Sequence, residues 1–289
     1  MINVVKMKNL QSVYQLSNGV KIPCVGFGTW QAQNGGVAYT AVREAIARGY
    51  RHIDTAAAYG NEESVGDAVR ESGVKREDLF ITSKLANPEH GYDRTMVSFE
   101  QTLKKLQTEY LDLYLIHWPN PIAFRDNWKT ANAETWKAFE ELYKAGKIRA
   151  IGLSNFWPHH IEALLKTATI APMVNQIRLC PGETQPETSA YCREHNILLE
   201  AYSPLGSGNI FEVPEMKAFA EKYQKSVAQI CLRWSLQMGY LPLAKSVTAS
   251  RIEENTHLFD FSLSDEDVAA IAAMTDCCGP TQDPDSTPF

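Results

Sequence analysis

Eight short apolar runs, separated by stretches with the 3.6-residue period of a helix, set the narrowest limit on what this 289-residue chain can become. The runs are residues 23–28, 51–54, 79–84, 111–117, 148–154, 173–177, 197–202 and 240–244. They are apolar on both sides of the pleat rather than alternating, which is what strands of a parallel sheet covered by helices require. Over residues 91–107, Tyr92, Met96, Phe99, Leu103 and Leu106 are spaced 4, 3, 4 and 3, one apolar stripe on a helix. Over residues 133–145, Trp136, Phe139 and Leu142 line one face in the same way. Gly49, Gly73 and Gly146 each follow a helical stretch, where a residue of positive φ can end it. Eight such strand–helix units predict a (β/α)8 TIM barrel. A doubly wound open sheet is the rival, but it would carry a nucleotide fingerprint at its first βα turn. The segment Gly26-Phe-Gly28-Thr-Trp-Gln31 lacks the third glycine of that fingerprint, and no phosphate-loop motif occurs. Ahead of the first strand, residues 12–16 and 20–23 flank Ser17-Asn-Gly19, which predicts a β-hairpin closing the barrel bottom.

With hydrophobic residues at 44% and charged residues at 21%, a chain of this length buries a full core without disulfides or metal. No Gly/Ser/Pro-rich or charge-run linker interrupts it, so one domain over residues 1–289 is expected. A net charge of −6 provides no basic footprint for nucleic acid or an anionic membrane surface. The N-terminal 20 residues lack the apolar core of a signal peptide and no stretch reaches the apolar length of a membrane span, which points to the cytoplasm. The six cysteines, at 24, 180, 192, 231, 277 and 278, lack CxxC spacing and read as reduced thiols. No metal is implied, because no second histidine or carboxylate cluster stands at ligand spacing.

Three successive apolar runs end in ionisable groups: His52-Ile-Asp54 with Tyr59 just beyond, Phe80-Ile-Thr-Ser-Lys84, and Leu113-Tyr-Leu-Ile-His117. In a barrel the carboxyl ends of strands converge on one face. Lys84 beside Tyr59 would stabilise the phenolate relative to the phenol and draw its pKa toward working pH. Asp54 would hold the lysine charged and oriented, since a lone ammonium at an apolar rim is unfavourable. His117 could hydrogen-bond a substrate oxygen and share in proton transfer. Taken singly, each has a plainer reading: a turn cap, loop packing, a solvated strand end, a satisfied core histidine. Together they form a device for proton transfer.

The segments Asp54-Thr-Ala-Ala-Ala-Tyr59-Gly-Asn-Glu, Thr82-Ser-Lys84, Leu111-Asp-Leu-Tyr-Leu-Ile-His117-Trp-Pro119, Gly152-Leu-Ser-Asn155 and Leu243-Ala-Lys245-Ser, in that order, resemble the aldo-keto reductases. The likeness runs from about Val20 to Met274 and is strongest to the bacterial branch that includes 2,5-diketo-gluconate reductases and methylglyoxal or small-aldehyde reductases. The resemblance implies a catalytic set of Asp54, Tyr59, Lys84 and His117, with Tyr59 as general acid, and a monomeric enzyme that uses NADPH to reduce carbonyls. It also implies that Thr29, Asp54, Ser154, Asn155, Gln176 and Tyr202 meet the nicotinamide end. Ser203, Leu205 and Ser207 belong to a loop resembling the family's pyrophosphate strap. Lys245, Ser246, Val247, Thr248, Arg251, Glu254 and Asn255 resemble its adenosine clamp, where two cations six residues apart suit a phosphate monoester, hence NADPH over NADH. Arg251 pairing with Glu253 or Glu254 on a surface helix is the alternative.

Trp30 and Trp118, with Tyr59 and His117, stand where the family lines its substrate pocket. Many relatives carry a tryptophan two residues after the lysine, whereas this chain has Ala86, which opens one wall or leaves it to Phe124, Trp128 or the tail. At Arg178 and Cys180 relatives commonly show an acidic residue and a histidine. The tail over residues 275–289, with three prolines and no helical period, is expected to be irregular, either folded over the mouth or free. Two other function classes compete: a non-catalytic NADP-binding subunit, and a barrel hydrolase or lyase, the last disfavoured because a lysine paired with Asp54 is a poor nucleophile.

Overall fold

The computed structural model describes residues 7–279 and 281–289; the first six positions of the stretch read for a signal sequence, and one proline of the tail, lie outside the described residues. Two short strands, β1 (Val13–Gln15) and β2 (Lys21–Pro23), pair antiparallel with Tyr14 opposite Ile22. Gly19 turns the chain between them at φ 86°, a conformation open to glycine. Eight parallel strands follow: β3 (Gly26–Gly28), β4 (His52–Asp54), β5 (Phe80–Leu85), β6 (Leu111–Ile116), β7 (Ile148–Ser154), β8 (Val174–Arg178), β9 (Leu198–Tyr202) and β10 (Leu241–Ala244). Each pairs with the next in chain order and β10 returns to β3, so the sheet closes into the expected barrel. β3 is shorter than its apolar run because residues 23–25 belong to the hairpin side, where Cys24 N–H donates to Ser12 O.

The helices are α1 (Gly36–Ala47), α2 (Glu62–Glu71), α3 (Tyr92–Leu106), α4 (Trp128–Lys144), α5 (Pro158–Leu165), α6 (Pro186–Glu194), α7 (Pro214–Tyr223), α8 (Val227–Gln237), α9 (Ala249–Glu254) and α10 (Asp265–Ala272). In α3, Phe99, Leu103 and Leu106 of the expected stripe are buried, and Val97 on the other face is exposed. Gly49, Gly73 and Gly146 all have positive φ after their helices. α4 begins at Trp128, ahead of the periodic stretch from 133, because tertiary contacts extend it. The Trp128 ring meets His160 edge-on at 5.0 Å and Asn132 Nδ2 donates to Pro119 O at 2.9 Å.

The hairpin sits at the amino ends of the barrel strands, as the sequence predicts. Tyr14 Oη donates to the carbonyl of Tyr240, just before β10, and Asn18 Nδ2 to that of Arg149, near the start of β7. Strand-end side chains are therefore left to build the opposite face. After β10 and α10 the chain crosses that face as an irregular tail.

Strand packing leaves no room for a side chain where β7 meets β8. A Cβ on Gly152 would lie 2.7 Å from the carbonyl oxygen of Val174 and 2.8 Å from Leu115 Cδ2. A backbone oxygen cannot swing aside, so Gly152→Ala must spread two barrel strands. Urea denaturation is expected to show a loss of about 1–3 kcal/mol; unchanged stability would mean that the barrel wall is softer than its register implies.

Candidate active site

Register places the ionisable groups. Asp54 at the end of β4 pairs with Thr82 of β5, and Lys84 lies two residues further on the same face of the pleat. A single 3-10 turn, Ala57–Tyr59, then carries the phenol back over the barrel mouth. His117 follows β6 immediately. Lys84 Nζ donates to Asp54 Oδ1 and Oδ2 at 2.7 and 2.8 Å, to Thr55 O at 2.9 Å and to Tyr59 Oη at 3.3 Å. The lysine is wholly buried. The rings of Tyr59 and His117 meet edge to face at 5.7 Å. The four residues thus form one cluster.

Their proton affinities follow from burial and from that ion pair. Burial works against the Lys84 charge, but Asp54 and then Tyr59 outweigh it and hold the ammonium above the ordinary lysine range. Burial raises Tyr59, and the charge of Lys84 offsets only part of that rise, so the phenol lies above its ordinary value. This differs from the sequence expectation, in which Lys84 dominated; a desolvated phenol keeps its proton at neutral pH. Burial, then the charge of Lys84 and that of His90, push His117 down to about 3, leaving a neutral imidazole.

The remaining strand ends knit around this cluster. Thr29 uses both its N–H and Oγ1 to donate to Asp54 O at 3.0 Å. Gln176 Nε2 donates to Asp54 Oδ2 and Glu200 Oε2, each at 2.8 Å. Asn155, at φ 62°, donates to His117 O and Ser154 Oγ and accepts from Tyr202 Oη at 2.8 Å. Asn61 bolts the next loop in place. Its Nδ2 donates to Thr29 O and Ala32 O, and its Oδ1 accepts from Thr55 Oγ1. Trp30, between those two carbonyls, is held half exposed above the mouth.

Ser203 and Ser207 both adopt positive φ in the loop after β9, with Leu205 between them packed on the core. Ser246 Oγ accepts from Thr248 N, shaping the turn into α9, and Asn255 at the far end of that helix is buried. Val247 is exposed there. Glu253 faces Arg48 at 3.5 Å, and among the described residues neither Lys245 nor Arg251 makes an ion pair. The alternative pairing of Arg251 with Glu253 is therefore not seen. Glu254 directs its backbone carbonyl to Gln229.

The unusual Arg178 and Cys180 are taken up by the tail. Arg178 donates to the carbonyls of Cys278 and Gly279, and the Cys278 thiol to Pro181 O at 3.1 Å. Further along, Asp285 accepts from Asn120 Nδ2 and lies 2.9 Å from His160 Nε2 and 3.0 Å from His159 Nε2. Among the described residues this is the group that gathers three potential metal-ligand atoms. Yet His160 Nδ1 accepts from Trp157 N–H, so its proton sits on Nε2 and points at Asp285: the contact is a hydrogen-bonded latch. Arg125 holds Thr287 O, and Phe289 closes on Trp118 edge-on at 5.0 Å. The tail therefore reaches the pocket wall. Phe124 stacks on His90 and Trp128 meets His160 edge-on, so both rings are committed to histidines. Sequence reading missed Asn61 and Glu200; the first lay inside a quoted motif, and the second was a lone charge in an apolar strand.

Comparison with known proteins agrees with this architecture. The profile of the Aldo/keto reductase family matches residues 24–276. A glyoxal reductase of Bacillus subtilis is 50% identical over 266 residues, 92% of this chain and 94% of the relative. An aldo/keto reductase from Brucella melitensis superposes with a TM-score of 0.86 at 45% identity, covering 92% of this chain and 98% of its own. An aldo-keto reductase of Bombyx mori, solved in complex with NADP, has a TM-score of 0.82 at 38% identity over 90% and 92% of the two chains. With nearly the whole barrel matched in both sequence and structure, this chain belongs to the aldo-keto reductase family.

Proposed function

We propose that this chain reduces aldehydes and ketones, small dicarbonyls among them, to alcohols with NADPH, and that Asp54, Tyr59, Lys84 and His117 carry the chemistry. The observation that bears most weight is the buried Lys84 ammonium bridging Asp54 and Tyr59 at the barrel mouth. Family membership makes the protein an NADP-dependent oxidoreductase. The glyoxal reductase relative supports a small dicarbonyl substrate, and the Bombyx mori complex supports the cofactor.

When bound, the cofactor supplies hydride to the carbonyl carbon. Tyr59 Oη gives its proton to the oxygen, and the adjacent Lys84 charge stabilises the phenolate left behind. Asp54 keeps Lys84 charged and in place. The neutral His117 orients the carbonyl by hydrogen bonding, while Trp30 and Trp118 flank the substrate body. The residues present fit the cofactor. Gln176 has both amide protons engaged and leaves Oε1 as an acceptor for the nicotinamide end, beside Thr29, Ser154, Asn155 and Tyr202. Ser203, Leu205 and Ser207 would hold the pyrophosphate. Lys245 and Arg251, with Ser246, Val247, Thr248, Glu254 and Asn255, would hold the adenosine end and its phosphate monoester. A lyase using Lys84 as nucleophile would need the amine neutral, and Asp54 keeps it charged. One barrel domain, monomeric and cytoplasmic, completes the reading, supported by the family resemblance and by six free thiols.

Loss of NADPH absorbance with methylglyoxal, glyceraldehyde, a nitrobenzaldehyde and a diketone tests activity and substrate class together; binding without turnover on any of them would favour a non-catalytic subunit. Tyr59→Phe should lower kcat by about 10³-fold or more while NADPH still binds, and a near wild-type rate would remove Tyr59 as proton donor. Because His117 is held near 3, kcat/KM should show no histidine ionisation between about pH 5 and 7. A step near the ordinary histidine value would place a charged imidazole in the mechanism. Arg251→Ala should weaken NADPH binding by about 10-fold to 100-fold and leave NADH unaffected; an unchanged preference would reassign the phosphate contact.

A further inference from the structure

Beneath the strand-end residues the barrel holds a second polar layer that the reaction described above leaves idle. Strand side chains alternate, so His52 shares its face with Asp54 and Thr82 with Lys84, while Glu200 of β9 pairs in register with Gln176 of β8. Glu200 is wholly buried. Its Oε2 accepts from the same Gln176 nitrogen that donates to Asp54. Since Asp54 holds Lys84 and Lys84 reaches Tyr59, an unbroken run of hydrogen bonds leads from Glu200 through Gln176, Asp54 and Lys84 to the phenol. Glu200 Oε1 has no partner. Its nearest basic neighbour, His52 Nε2, is 3.8 Å away and 2.9 Å from Thr82 Oγ1. The other side of that imidazole fills the space left by Gly26, where a Cβ would come within 2.8 Å of Nδ1.

We propose that Glu200 is a positioning residue of the reaction: acting through Gln176 and Asp54, it sets the charge balance around Lys84 and so the pH range over which Tyr59 holds a proton to give. This rests on the reading of Tyr59 as proton donor. The groups that face Glu200 are Asp54 and His52 from β4, Lys84 from β5 and Gln176 from β8. Among them Lys84 is the cation and Asp54 its matched carboxylate; a second carboxylate would put two negative charges against one ammonium. Burial first, and then the charge of Asp54, push the Glu200 carboxyl up to about 8, with Lys84 and the Gln176 hydrogen bond opposing. His52, pushed down to about 3 by burial and by Lys84, is neutral and offers no compensating charge. Near pH 7 Glu200 is therefore a neutral acid that still accepts from Gln176. As pH rises past 8 it ionises, and the added negative charge raises the proton affinity of Tyr59. The donor then stays loaded to a higher pH than it would above a permanently neutral residue.

Glu200→Gln has the shape of the neutral acid, keeps an acceptor for Gln176 and cannot ionise. Relative to its own plateau, the alkaline decline of kcat/KM for reduction should come about 1 pH unit earlier than in the wild type. In the ligand-free wild type, infrared difference spectra should show the C=O band of a protonated carboxylic acid at pH 6.5 that disappears between about pH 7 and 9 and is missing in Glu200→Gln. An unshifted alkaline limb, including one lowered by the same factor at every pH, would overturn the proposal. So would a wild-type spectrum without a titrating acid band, a test that stands even if the variant does not fold. A titrating band in a protein that reduces no carbonyl would instead count against Tyr59 as donor.

Discussion

A lysine ammonium sealed inside a barrel wall is the constraint around which the upper half of this structure is arranged. Removing such a charge from water costs several kcal/mol, and a single acceptor does not restore it. Lys84 accordingly has both oxygens of Asp54, the carbonyl of Thr55 and the hydroxyl of Tyr59. These acceptors come from β4 and the turn directly after it, so the lysine can be satisfied only while β4 and β5 keep their register. The geometry of the Asp54–Lys84–Tyr59 cluster and the stability of the barrel mouth are thereby the same requirement. Removing one partner would strand a buried charge, which is more disruptive than never having built the pair.

The same logic spreads around the rim. Asp54 can hold Lys84 because its second oxygen is also fixed by Gln176, on the far side of the barrel, and because its backbone carbonyl accepts twice from Thr29. Asn155 ties the His117 backbone to Tyr202, joining β6, β7 and β9 at one point. Asp54, Lys84, Asn155 and Gln176 are each held by a side chain or carbonyl from another strand end. Loops alone would not give that precision; the barrel supplies rigid ends, and side-chain amides fasten one end to the next.

Much of this was legible in the chain because the information was local. Two-sided apolar runs mark covered parallel strands, and a charged residue at the end of such a run marks the catalytic face, so all eight strands and the four ionisable residues could be read directly. What could not be read depends on closure. Glu200 lies in an apolar strand as an isolated charge, and its meaning appears only when Gln176 and Asp54, 24 and 122 residues from their respective partners in this chain of contacts, come to the same point. The balance at Tyr59 failed for a related reason: the sequence names the neighbouring lysine but not how completely water is removed. The early start of α4 at Trp128 likewise owes nothing to periodicity. It comes from ring contacts with α5.

The two departures from the family pattern, remote from each other in the strand order, find a common account in the tail. Arg178, unlike an acidic side chain at that position, can donate to main-chain carbonyls, and it donates to those of Cys278 and Gly279, 100 and 101 residues later. That grip sets the direction in which the tail leaves the β8 side of the barrel. The chain then crosses to His159 and His160, where Asp285 latches it, and ends its course with Phe289 against Trp118. The position two residues after Lys84 is the small Ala86, while the ring of Phe289 arrives against Trp118 from the far end of the chain. The tail is therefore held along this course through backbone carbonyls, gripped by Arg178 and Arg125, and by the carboxylate of Asp285. Such an anchor fixes the tail's path through groups that leave most of its side chains uncommitted.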